Sequence, residues 1–512
     1  MITIPFILTI TIVTAIILIK RLRPGFRYFW LVAIGGSVSI IISLLGWIFY
    51  LPMKYSPAIS TESSLQLFSS NWIADNTTLP IIISLSALAL AALLTSVVRN
   101  VSDPYDWASI LLYTSLGILA IMSDNLFAIT ISWVCIDIIE TITLLRYCRV
   151  ERSNDIVVGL SVKLVGLLLT IWSAIICISS GLSITLQEIP TRVGGILIAA
   201  IILRIWVLPL VPPVNESNLS KNIFSISRPI AAISGLILLI HMPVDFFQTS
   251  MIPFTIILLG IFSIIFSIPW LFSKNEIYGR PYWILSFGLL IMINSISGNF
   301  NNGKSLLEAM VLLGGMASMY LVQNKKNIWI PIIGLWGLSS LPYSLTYGNF
   351  LESTTNSIFA FLPAIAGYSI LIAGYIRHLT SRRSNSDISQ QPKWIQFMYQ
   401  SGLVLILAII IILGLYRGFN NEQLVFHWIQ LLPMGLALII YLLHERFKVP
   451  FKMIRTQSLS IKNNPLTTII WGLYNLIRRI IASINFILEG DGGMLWSLVF
   501  LLLFITILTQ TK

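Results

Sequence analysis

Apolar positions along this chain gather in long blocks. They neither alternate nor recur on one face. Read in order, the blocks fall near 2–19, 28–50, 80–98, 107–122, 124–145, 156–180, 193–211, 229–243, 252–272, 281–298, 305–323, 328–346, 356–376, 397–416 and 424–443, with a further block at 494–511. Blocks of roughly 17–25 residues are what α-helices need to cross about 30 Å of hydrocarbon. The pattern predicts an all-α polytopic membrane protein with 15 or 16 spans. The stretch 444–490 breaks the pattern. It is basic, interrupted by Pro450 and Pro465, and carries Arg478 and Arg479 in mid-run. Two adjacent arginines are costly in a spanning helix, so this stretch is read as an amphipathic helix on the inner surface.

Lysine and arginine then set the orientation. Lys20, Arg21, Arg23 and Arg27 follow the first block, and no cleavage site precedes them. The expectation is an uncleaved first helix with its N-terminus outside. Alternating from there, the outside loops hold Lys54, Arg192, Lys304 and Arg417, and the inside loops hold most of the other loop cations. That is the positive-inside asymmetry expected of a membrane protein in a bacterial-type inner membrane or an equivalent energy-converting membrane.

Composition narrows the class. Of 512 residues 56% are hydrophobic and 10% charged, which excludes a water-soluble multidomain enzyme, a disordered chain and a coiled coil. The net charge of +12 is spread between the blocks, so nucleic acid is not an expected partner; the lipid bilayer is. Cys135, Cys148 and Cys177 are too scattered for a disulfide framework or a metal cluster. His241, His378, His427 and His444 show no ligand pairing. Neither a cofactor nor a metal is expected. The loops are short and offer no catalytic centre.

Charged groups inside spans are costly and therefore candidate functional residues. Asp137 and Glu140 lie in the fifth block, Lys163 in the sixth and Arg204 in the seventh, with Glu308 near the start of the eleventh. Trp133, Asp137 and Glu140 share one helix face. A carboxylate–lysine–arginine cluster at mid-membrane fits proton-relay chemistry. It fits equally a buried ion pair that locks helices together. Glutamate and lysine can exchange protons, whereas arginine keeps its own. Proline adds a second signal. The seventh block is broken at Pro209 and Pro212 and the twelfth at Pro342, five spans apart. Paired broken helices in two halves point to an inverted-repeat transporter.

Several segments carry a family resemblance: Asn71-Trp72-Ile73-Ala74-Asp75, Asp124-Asn125-Leu126-Phe127 with Ser132-Trp133, Leu203-Arg204 with Leu208-Pro209-Leu210, Arg228-Pro229-Ile230-Ala231-Ala232, and Leu341-Pro342-Tyr343 with Tyr347-Gly348. In order and spacing they resemble the antiporter-like membrane subunits of respiratory complex I, Mrp-type cation/proton antiporters and membrane-bound hydrogenases. The resemblance implies two inverted five-helix repeats at 107–243 and 252–376. N-terminal helices at 1–98 and C-terminal helices at 397–443 would flank them, with the surface segment 444–490 and the final span 494–511 following. It also implies a mid-membrane relay that moves protons, alone or in exchange for a cation, driven by a partner's reaction, in a larger complex of membrane subunits and hydrophilic redox subunits. The alternative is a non-conducting scaffold that keeps the fold and anchors partner subunits.

The departures from the family pattern fall on the relay. Val134 stands where the family has glutamate, with Asp137 or Glu140 as replacements. Arg204 stands in place of a lysine, Ile233-Ser234-Gly235 where the eighth helix carries a lysine or histidine, and Asn349 near the break of the twelfth. The second half is therefore expected to lack a central titratable group.

Overall fold

A computed structural model describes residues 2–26, 28–56, 70–97, 104–147, 153–208, 220–242, 252–273, 276–314, 329–348, 354–380, 392–420 and 430–447. The segment 444–490 beyond Phe447, the final span 494–511, and Pro209 and Pro212 lie outside the described residues. Fifteen α-helices occur among the described residues. They are α1 Ile4–Leu22, α2 Phe29–Gly46, α3 Leu79–Ser96, α4 Pro104–Ile121, α5 Leu126–Tyr147, α6 Ser153–Ser179, α7 Gly194–Trp206, α8 Ser220–His241, α9 Ile252–Phe272, α10 Glu276–Ile296, α11 Phe300–Gly314, α12 Trp329–Gly337, α13 Thr354–Thr380, α14 Lys393–Asn420 and α15 Leu431–Phe447. Each corresponds to one apolar block. Eight are long and apolar enough to cross a membrane, so the chain is an integral membrane protein. The all-α expectation needs one adjustment. Met53–Tyr55 pairs antiparallel with Trp72–Ala74 in a two-stranded ribbon ahead of α3.

Burial sorts the helices. α3 is the hub, with 89% of its span buried, packed by α2, α4, α8, α11 and α14. Its serines and threonines are satisfied within the helix: Ser86 Oγ and Thr95 Oγ1 each donate to a carbonyl four residues back, both at 2.8 Å. Hydrocarbon offers no other partner for such groups. By contrast α1 turns Ile7 and Ile10 outward and α9 exposes Phe254, as lipid-facing helices do. Small residues permit the closest approach, that of α9 to α13. A Cβ on Gly367 would lie 2.5 Å from Ser263 Oγ, and one on Gly260 would lie 2.9 Å from Pro363 Cβ.

Pro342 lies beyond the end of α12. α12 stops at Gly337, and 338–348 form a non-helical turn in which Ser340 and Tyr343 take left-handed φ values of 57° and 60°. Proline cannot donate to the helix and clashes with the carbonyl four residues back, so the helix ends ahead of it. α7 is likewise short and ends at Trp206.

Candidate functional site

The site begins with a cap. Asn125 Oδ1 accepts the Ala128 amide at 2.8 Å, fixing where α5 starts and placing Asp137 and Glu140 in its middle turns. α6 brings Lys163 and α7 brings Arg204. These two helices touch at Gly166, where a Cβ would lie 3.2 Å from the Ala200 carbonyl oxygen. α8 completes the enclosure with Ser234.

The four residues read from the sequence meet in one network. Arg204 Nη1 donates to Asp137 Oδ2 at 2.9 Å, and Nη2 donates to Asp137 Oδ1 at 3.0 Å. This is the two-pronged arrangement that suits guanidinium and carboxylate. The remaining Arg204 side, Nε, donates to Ser234 Oγ at 2.9 Å, and the Ser234 hydroxyl donates a hydrogen bond to the Ala231 carbonyl at 2.8 Å. The Arg204 Cζ sits 4.4 Å from the centroid of the Trp133 ring, while Trp133 Nε1 donates to the Ser234 carbonyl at 2.9 Å. Ser234 and the cradling role of Trp133 escaped the sequence reading. Ser234 serves Arg204 as a hydrogen-bond acceptor.

Lys163 completes the network. Its Nζ lies 2.5 Å from Glu140 Oε2 and 3.7 Å from Asp137 Oδ1. Fractional exposures are 0% for Arg204, 3% for Asp137, 4% for Lys163 and 5% for Glu140, so the cluster is buried. Two acids and two bases balance, which is the condition under which charges survive burial. Tyr113 on α4 and Arg228 on α8 lie within electrostatic reach of Glu140. Arg228 also faces Arg280, which pairs with Glu276 at 2.5 Å. Buried charge therefore continues from α5 toward α10.

A further buried pair involves Glu308, the charged group read from the sequence near the start of the eleventh block. Glu308 on α11 accepts from Arg417 Nη2 on α14 at 2.8 Å. The sequence placed Arg417 in a loop at the end of an apolar block, and the pairing spans 109 positions, so no local pattern announces it. Asp75 and Asp124 stand at the ends of helices outside the hydrocarbon. Burial alone would raise Asp75. Hydrogen bonds from Thr77 and Thr78 outweigh that and hold it below its ordinary value of 3.8. Burial pushes Asp124 upward; Lys54 opposes this, while Asp75 and Glu188 add to it. Among the described residues no group of three or more His, Cys, Asp or Glu side chains is placed to hold a metal ion.

No family model matches the sequence, and no curated protein matches it. Solved structures do match in fold. A chain of the Mrp complex from Dietzia sp. aligns with a TM-score of 0.69 and 11% identity over 99% of this chain. This chain spans 63% of the length of that one. A chain of the membrane-bound sulfane sulfur reductase, an archaeal respiratory membrane complex, aligns at 0.63 with 12% identity, covering 97% of this chain and 99% of that one. A chain of respiratory complex I from Thermus thermophilus with bound NADH aligns at 0.63 with 12% identity, covering 86% and 100%. The fold is that of the antiporter-like membrane subunits.

Proposed function

We propose that this chain is a membrane subunit of an ion-translocating complex and that it moves protons through Glu140, Lys163, Asp137 and Arg204, coupled to a partner's reaction. The observation that carries this reading is a single buried ammonium, Lys163, held between two carboxylates at 2.5 and 3.7 Å. A proton delivered to Glu140 cancels its charge and weakens its hold on Lys163. Asp137 then stands as the alternative partner. Arg204 keeps its proton. It acts as a fixed charge that holds Asp137 in place. Lys163 and Glu140 are the groups able to pass a proton.

What supports the inverted repeats at 107–243 and 252–376 is that α4 packs on α8 and α9 packs on α13, the first and last helix of each set. The short helices α7 and α12 hold matching fourth places. The N-terminus outside and the energy-converting membrane rest on the basic residues of alternate loops. Companion membrane subunits and hydrophilic redox subunits, such as a complex of the matched kinds would contain, belong to the same reading.

One observation favours the scaffold reading. Arg204 donates from all three of its nitrogens, to the Asp137 fork and Ser234, and stacks near the Trp133 ring, tying together α5, α7 and α8. The reconstituted native complex carrying Lys163→Met separates the two. Proton flux lost with subunit composition intact supports translocation. Flux retained supports the scaffold.

A further inference from the structure

We propose that Glu308 is a second protonation site and that its pair with Arg417 latches the unwound end of α12, so that a proton reaching Glu308 frees the segment 338–348. This rests on the reading of the chain as a proton carrier, but its geometry lies in the other half and its test needs no flux.

Arg417 holds two things at once. One nitrogen, Nη2, contacts Glu308 Oε1 at 2.8 Å, and the other, Nη1, donates to the Leu345 carbonyl at 3.1 Å. The guanidinium therefore joins α11 to the unwound segment through a helix, α14, that lies beyond the proposed repeats. α14 is shaped to receive that segment. A Cβ on Gly414 would lie 2.3 Å from the Tyr343 carbonyl oxygen, and one on Gly418 would lie 2.4 Å from the Tyr343 ring. The segment itself is held under strain. Ser340 and Tyr343 are non-glycine residues in the left-handed region, a conformation that persists only where surroundings impose it. Tyr368 donates to the Leu338 carbonyl at 2.7 Å, and Asn302 donates to the Gly348 carbonyl at 3.1 Å. The segment is thus fastened at both ends by neutral groups and in the middle by Arg417.

Glu308 has the features of a proton acceptor. Its side chain is 2% exposed, and its second oxygen, Oε2, is buried with no hydrogen-bond partner among the described residues. Arg417 is 20% exposed in the last turn of α14, so it has somewhere to go when Glu308 is neutral. It keeps its own proton throughout. The charged groups facing Glu308 are few. Lys304 lies one turn away on α11, and Arg417 comes from α14. Helix α3 carries no charged residue. α8 brings His241 at its end, within reach of Lys304 and Asp75. Glu276 and Arg280 of α10 sit at its far end. Asp75, His241 and Lys304 lie within electrostatic reach of one another, and Lys304 within that of Glu308.

The test is amide hydrogen exchange of the full chain in its complex, read on peptides covering 338–348. Lowering the pH from about 8 to about 5 crosses the range of a buried carboxylate and should cut protection in this segment at least about tenfold, with α3 unchanged. Glu308→Gln should show the low protection at every pH. Protection independent of pH, or Glu308→Gln behaving as the unaltered chain, overturns the latch. Should that variant not assemble, Glu308→Gln with Arg417→Gln removes both charges together. It should also lack the pH step, and a step that survives in it overturns the proposal. A pH step alongside retained flux in Lys163→Met would separate the latch from the relay, sinking the relay alone.

Discussion

Lys163 Nζ stands between two carboxylates of one helix, 2.5 Å from Glu140 Oε2 and 3.7 Å from Asp137 Oδ1. The two acids are unequal because Arg204 claims Asp137 with both prongs of its fork. Glu140 has no such clamp, and Lys163 is its salt-bridge partner.

Removing one member of the clamped pair should cost stability. Arg204→Ala leaves the buried Asp137 with only the more distant Lys163, 3.7 Å away, and breaking a buried pair from one side costs about 3–5 kcal/mol. The thermal midpoint of the purified complex should fall. Asp137→Asn combined with Arg204→Gln should fall less than Arg204→Ala alone, because neither charge is left unpaired.

Ser234 should matter through Arg204. Ser234→Ala removes the acceptor of Nε–H at 2.9 Å and leaves a charged donor buried. The expected cost is about 1–3 kcal/mol in thermal or denaturant stability. A double-mutant cycle with Arg204→Gln should show that most of this loss disappears once the guanidinium is gone.

The two aspartates at the ribbon end should respond to pH with opposite signs. Asp75 is held below 3.8 in the fold, so its contribution is present above that value and fades as pH falls through its lowered one. Asp75→Asn should therefore destabilise near neutrality and approach the unaltered chain in acid. Asp124 is raised by burial, so its fit to the fold is best below 3.8 and declines as pH rises through its elevated value. Asp124→Asn should be the more stable form near neutrality, and that advantage should vanish in acid. Melting curves across pH check both.

Glycine at the α12 break should be exacting. Gly414→Ala places a methyl 2.3 Å from the Tyr343 carbonyl oxygen, against backbone that cannot yield cheaply. Overpacking of this kind costs about 1–3 kcal/mol. Gly46→Ala, with nothing within 4 Å, serves as the control and should change the midpoint little.

Much of this was legible before any coordinates. The blocks predicted fifteen or sixteen helices because hydrocarbon imposes a length on every span, and fifteen occur among the described residues. Asp137, Glu140, Lys163 and Arg204 stood out because charge is rare and costly in such blocks. Pro342 announced a break, though α12 ends at Gly337, since proline disturbs the turn ahead of it. The sequence could not show which acid each base would choose. Asp137 and Glu140 are three residues apart on one face, and the choice depends on how α6 and α7 close on α5. Ile233-Ser234-Gly235 read as a stretch without a titratable group, and its serine is the acceptor of the Arg204 Nε–H. The Glu308–Arg417 pair was missed because its partners belong to α11 and α14, which meet only in the folded bundle.

The central claim is that Glu140 passes protons, and Glu140→Gln tests it most directly. The variant keeps the size and hydrogen-bonding capacity of the side chain and removes its ability to take up a proton. The measurement is proton flux into vesicles containing the native complex, with subunit composition and the partner's reaction followed in the same preparation. The expected result is intact assembly with coupled flux lowered at least about a hundredfold, the scale of a lost proton-transfer group. Undiminished flux through an intact complex would contradict the account and leave the quartet as a lock between helices.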